Sequence, residues 1–205
     1  MSEMAASAPR IRTGDALLAA IAVGVVLGLI AQVLRQVQGE TSFFGGSTAP
    51  WVSIGFAIAV LAVRIRAPGR VVFGYLVAWL VAYHVLYAVG QSIPLSAAWR
   101  EAVPWLVLAP PVCFALGRVA TLATGSGVIA DLCLAAPLAW SVPETINNFR
   151  AGYPVVAVAV ALFAFLPGVA SQRRDVRILT LAIGVVALGA IVLLVGPLVR
   201  SHIRS

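Results

Sequence analysis

Apolar residues run along this chain in long unbroken blocks, with polar residues confined to short joints between them. The blocks fall at roughly 14–35, 48–64, 70–92, 102–122, 126–145, 151–170 and 177–199. About 20 apolar residues carry a helix across a hydrocarbon core, so each block reads as a spanning segment, the second being the shortest. None alternates apolar and polar positions as a barrel strand does, and a continuous run in lipid must satisfy its backbone groups within itself. The pattern predicts an all-α fold: a polytopic integral-membrane helical bundle of about seven transmembrane helices, forming one domain over residues 1–205. It contains neither an inverted repeat of the kind found in many secondary transporters nor a linker long enough to separate a second domain.

Composition agrees with the pattern. The chain is 61% hydrophobic and 10% charged, with a mean hydropathy of +1.03, values that exclude an ordinary soluble domain. All 14 basic residues are arginine, and the net charge is +7. They are spread over joints and helix ends, not gathered into a basic patch interleaved with aromatics, so the expected partner is the lipid bilayer and not nucleic acid. With the N-terminus inside, nine arginines fall on the inner side (Arg10, Arg12, Arg64, Arg66, Arg70, Arg118, Arg173, Arg174 and Arg177) and five outside (Arg35, Arg100, Arg150, Arg200 and Arg204). The positive-inside rule predicts a multi-pass cell-membrane protein, N-in and C-out, with residues 1–13 as an uncleaved cytoplasmic tail. Cys113 and Cys133 lie inside apolar runs without a CxxC spacing and read as small core hydrophobes. Neither a metal nor a cofactor is expected.

Chemistry must come from few residues, because the chain has only seven carboxylates. Glu3 and Asp15 belong to the N-terminal tail, Glu40 to the first outer joint, and Asp175 to the arginine-rich joint "SQRRDVR". Asp131 falls just after Gly125 and Ser126, where a helix dipole favours a carboxylate. At about 1.5 Å per residue, Asp131 and Glu144 are roughly 20 Å apart along one helix, which excludes an acid pair. Glu101 opens the fourth span and Glu144 closes the fifth, so both reach one membrane face. His84, about 20 Å along the third span, arrives there as well.

The aromatics follow the same division. Trp51, Trp99, Trp105 and Trp140 lie toward that face with Tyr83, Tyr87 and Phe149, while Tyr75, Trp79, Tyr83 and Tyr87 recur every four residues as one stripe. Trp140, Glu144 and Asn148 share a helix face by the same spacing. An interfacial aromatic belt also clusters by depth, but it would occupy both rims, and the inner rim is poor in Trp and Tyr. Pro104, Pro110, Pro111, Pro137, Pro143 and Pro167 lie in or at the rims of spans, where a missing backbone donor opens a helix and makes room for a cavity.

These residues predict a site with Glu144, Glu101 and His84 as its acid–base groups. Its walls would be Trp51, Tyr75, Trp79, Tyr83, Tyr87, Trp105 and Trp140, with the amides of Asn147 and Asn148 orienting the acid. Such a pocket suits carbocation chemistry, since aromatic faces stabilise passing positive charge and exclusion of water prevents early quenching. The chain resembles the small actinobacterial membrane-bound terpene cyclases of drimentine-type indole sesquiterpenoid pathways. The resemblance is carried by its size and layout, by "APWVSIGFAIAV", by the aromatic span "YLVAWLVAYHVLYAVG" and by the lone acid in "PETINN". That resemblance implies metal-independent, proton-initiated cyclisation of a farnesyl chain on a lipophilic prenylated indole, with Glu144 as the acid. The absence of a DDxxD-type cluster agrees with a substrate lacking a diphosphate. The alternative is a small transporter, immunity or accessory membrane protein in which Glu144, Glu101 and His84 relay a proton or ligand. For a third class, another lipid-modifying enzyme, Ser92 and Ser141 lack a base at fixed spacing.

Overall fold

Prolines start the helices that the apolar runs predict. The computed structural model describes residues 12–37 and 47–171. Within these, α1 spans Thr13–Gln36, α2 Ala49–Ala62, α3 Pro68–Gly90, α4 Leu95–Ala123, α5 Val128–Arg150, α6 Pro154–Phe163 and α7 Leu166–Ala170. Pro50, Pro68, Pro154 and Pro167 occupy the first or second position of their helices, and Pro94 immediately precedes α4. There the missing N–H has no helical partner to lose.

The molecule is all-helical among the described residues, a membrane helical bundle. The helices α1, α3, α4 and α5 are long and apolar enough to cross a membrane, whereas Ala49–Ile65 and Pro154–Ala170 are shorter. The expected seventh span, 177–199, lies outside the described residues, as do Arg10, Arg173, Arg174, Arg177, Arg200, Arg204, Glu3, Glu40 and Asp175.

Three boundaries differ from the sequence reading. Helix α4 begins at Leu95 instead of 102 and continues through Pro104, Pro110 and Pro111; its 29 residues rise about 43 Å, carrying Arg100 and Glu101 inside a helix. Helix α5 continues to Arg150 through Pro137 and Pro143; it stops before Gly152, whose φ of 84° is a backbone state favouring glycine. The expected span 151–170 is broken after Phe163, and the chain restarts as α7 with Pro167 in its first turn.

Helices α1 and α3 run parallel, because Gly24 meets Tyr75 and Ala78 while Gly28 meets Trp79 and Ala82. Buried Ala20, Gly24 and Gly28 recur every four residues. A Cβ on Gly24 would run into the Tyr75 carbonyl oxygen, and one on Gly28 into that of Trp79. Lipid supplies no hydrophobic drive between helices, so such close backbone approach is what holds them. Helix α2 returns alongside α3, placing Trp51 beside Tyr83 at one end and Ala62 beside Val71 at the other. It is the centre of the bundle: Phe56 and Val60 pack with Val72 of α3, Cys113 and Ala120 of α4, and Leu134 of α5. A helix apolar on every side is a buried one, which accounts for the texture of the shortest predicted span.

Tyr75 pins this centre. Its side chain is 1% exposed, and its hydroxyl donates to the Trp51 carbonyl at 3.1 Å. Tyr75→Phe leaves the ring in place and removes one buried bond, so it should cost about 1 kcal/mol, measured by thermal unfolding in detergent micelles.

Candidate functional site

Glu144 is bound to the start of α2. Ser47 and Thr48 donate their hydroxyls to its two oxygens; the Thr48 and Ala49 backbone N–H groups donate at 3.2 and 3.1 Å. Trp140, one turn earlier on α5, donates its indole N–H to Thr48 Oγ1 at 3.3 Å. The first N–H groups of α2 have no partner within their own helix and need acceptors. Glu144 lies six residues, about 9 Å, before α5 ends at Arg150, level with those groups, and its charge complements the helix dipole. The acid therefore partners a helix end and faces neither an aromatic interior nor Arg150.

The aromatic stripe is packed against itself and against α1. Trp51 and Trp79 have ring centroids 5.9 Å apart, Trp79 stacks on Tyr83 at 5.3 Å, and His84 meets Tyr83 edge-on at 5.1 Å. Arg35, in the last turn of α1, donates to the Tyr83 hydroxyl and lies 5.9 and 5.6 Å from the Tyr83 and Tyr87 rings. Glu101, on α4, is exposed. His84 is buried, with Nδ1 2.8 Å from the Leu80 carbonyl oxygen. A carbonyl only accepts, so Nδ1 carries a proton.

Twelve residues were expected to form one site, and the structure divides them. Trp51, Trp79, Tyr83, Tyr87 and His84 form a connected group, with Tyr75 bonded to Trp51 from below, while Glu101 is exposed on α4. Glu144 joins the group only by fixing the helix end that carries Trp51. Trp105 and Trp140 are 56% and 58% exposed and turn outward, as residues of an interfacial belt do. Asn147 is exposed and Asn148 half-buried. Asp131 stands in the first turn of α5, at the opposite end of that helix from Glu144. Cys113 and Cys133 are free thiols. Among the described residues, no group of three His, Cys, Asp or Glu side chains is placed to hold a metal.

A different feature has the dimensions of a binding site. A groove of about 1420 Å³ runs along α3 between α1 and α4. Leu17, Ile21 and Val25 of α1 form one wall, Phe73, Val77 and Val81 of α3 the floor, and Pro110 and Phe114 of α4 the other wall. Arg66 and Arg70 line one mouth. None of the twelve expected residues lines it. Sequence reasoning missed this groove because three helices compose it and no single one carries its signature. Two of the missed residues, Ser47 and Thr48, did leave a signal: "STAP" is a hydroxyl pair ahead of a proline, the composition of a helix start.

Comparison with protein-family models, with curated proteins and with solved structures finds nothing that matches the chain. The functional reading rests on its own side chains and its groove.

Proposed function

We propose that this chain is a membrane-embedded protein that holds a lipophilic molecule in the groove between α1, α3 and α4, and that it belongs to the transport or accessory class. The observation carrying this reading is the groove itself: large, apolar along its length, and bounded by charge at one mouth. Ligand sites are concave, mostly apolar and equipped with a few polar groups that fix orientation. Support also comes from Glu144, whose oxygens are engaged by α2 and are not offered to a substrate. The end bearing Arg12, Arg64, Arg66, Arg70 and Arg118 carries the arginine excess and is the cytoplasmic one in this reading.

The test is a neutral lipid probe. A pyrene-labelled diacylglycerol should bind the purified chain in maltoside micelles, read by energy transfer from tryptophan. Val77→Trp, which fills the floor, should weaken binding at least about tenfold, equivalent to about 1.4 kcal/mol. Unchanged binding in a folded Val77→Trp variant would remove the groove from the account.

A second reading, the proton-initiated terpene cyclase, is favoured by the continuous Trp51, Trp79 and Tyr83 faces and by Trp79 Nε1, which is buried without a partner among the described residues. In that reading Glu101 is the remaining acid at this end among the described residues, and His84 takes the final proton through Nε2. It predicts conversion of a farnesylated indole into a cyclic isomer of identical mass, lost in His84→Phe. Recovery of unreacted substrate alone would eliminate it.

A further inference from the structure

We infer that the groove selects an anionic phospholipid, its acyl chain lying between α1 and α4 and its phosphodiester held at the α3 N-terminal mouth by Arg66 and Arg70. This rests on the reading that the groove takes a lipid chain, and it adds the headgroup. Arg66 stands in the turn before α3 with a left-handed backbone, φ 58°, and Arg70 lies in the first turn of the helix. Both are exposed and both line the groove mouth. A third guanidinium belongs to the same end, since Arg118 lies 5.3 Å over the ring of Phe114, the wall residue opposite. The N-terminus of α3 carries no side-chain cap, so its dipole adds positive potential where the arginines converge. Guanidinium groups match phosphate oxygens in geometry as well as charge.

The groove has its second wall only at the arginine end. Helix α3 rises about 28 Å from Arg70 to Val89, nearly the full hydrocarbon thickness. The α4 wall, however, consists of Pro110, Cys113 and Phe114. Because Gly69 lies against Cys113 and Gly117, that wall, about 6 Å long, flanks the end of the groove next to the arginines. A chain anchored at the mouth is thus flanked by α4 only near its headgroup and meets α1 and α3 beyond it.

The experiment is a titration of the full chain in neutral maltoside micelles with dioleoyl phosphatidylglycerol or dioleoyl phosphatidylcholine, followed by native mass spectrometry. At about fivefold per interfacial arginine, phosphatidylglycerol should bind at least tenfold more tightly, with a preference that shrinks as salt is raised. The double variant Arg66→Gln/Arg70→Gln should bind the two lipids alike, and Arg150→Gln, at the opposite end, should retain the preference. Equal binding of both lipids by the unmodified chain would overturn the headgroup inference while leaving the groove reading in place. Binding of neither would overturn both. A preference that survives the double variant, or disappears in Arg150→Gln, would place the anionic site elsewhere and overturn the assignment to Arg66 and Arg70.

Discussion

Glu144→Ala should destabilise the protein by about 3 kcal/mol, because it uncaps the helix at the centre of the bundle. Hydrogen bonds to a charged acceptor contribute roughly 1.5–3 kcal/mol each, and loss of an N-cap costs roughly 0.5–2 kcal/mol. The four contacts are not additive: the Ser47 and Thr48 hydroxyls can rotate to other acceptors, whereas the Thr48 and Ala49 N–H groups cannot. Those two donors set the expected figure. Glu144→Gln keeps one acceptor oxygen but turns an NH₂ donor toward donors, so it should recover less than half of the loss. Thr48→Ala, which removes one hydroxyl and the Trp140 contact, should cost about 1 kcal/mol. Denaturant titration of the purified variants in micelles gives the ordering. A Glu144→Ala protein as stable as the parent would mean that the α2 terminus draws its acceptors from somewhere else.

Gly28→Leu should be at least as damaging, about 3 kcal/mol or more, through overpacking. The first added carbon already meets the Trp79 carbonyl oxygen and lies 3.1 Å from the Ala82 Cβ. Backbone cannot rotate aside as a flexible side chain does, so the whole of α1 must move off α3. That displacement separates Arg35 from Tyr83 and also widens the groove, so stability and the diacylglycerol affinity should fall together. Gly14→Leu is the control: nothing lies within 4 Å of a Cβ at that position in the first turn of α1, and replacing glycine in a helix is otherwise favourable. Equal unfolding midpoints for the Gly28 and Gly14 variants would contradict the parallel α1/α3 seam.

Much of the bundle was legible because a membrane simplifies the code. Blocks 14–35 and 70–92 match α1 and α3 within two residues at each end, since an apolar run in lipid must be helical. Boundaries drifted where polar residues continue a helix past the hydrocarbon, as Arg100 and Glu101 do in α4, and Asn147 to Arg150 in α5. What the sequence could not supply was rotation about each axis. Depth arithmetic brought Glu144, Trp140, Trp51, Tyr83 and His84 to one end, where the structure also has them. Their spacing left open whether they surround a space or fill it. They fill it: Trp79 lies between Trp51 and Tyr83, while Trp140 faces outward. The partners of Glu144 are hydroxyls and peptide groups, donors that a count of charges and aromatics overlooks. The Gly24 and Gly28 seam is also visible in the sequence, as small residues four apart.

The groove is the central claim, and photo-crosslinking tests it most directly. Membranes containing the full chain would be loaded with a phospholipid bearing a diazirine on its acyl chain, irradiated, and mapped by peptide mass spectrometry. Labels should concentrate on Phe73, Val77 and Phe114 and should be displaced by excess unlabelled lipid. Labelling spread evenly over other outward-facing residues such as Leu18, Val107 and Val158, which are also exposed, would show the groove to be ordinary lipid-facing surface and would contradict the account.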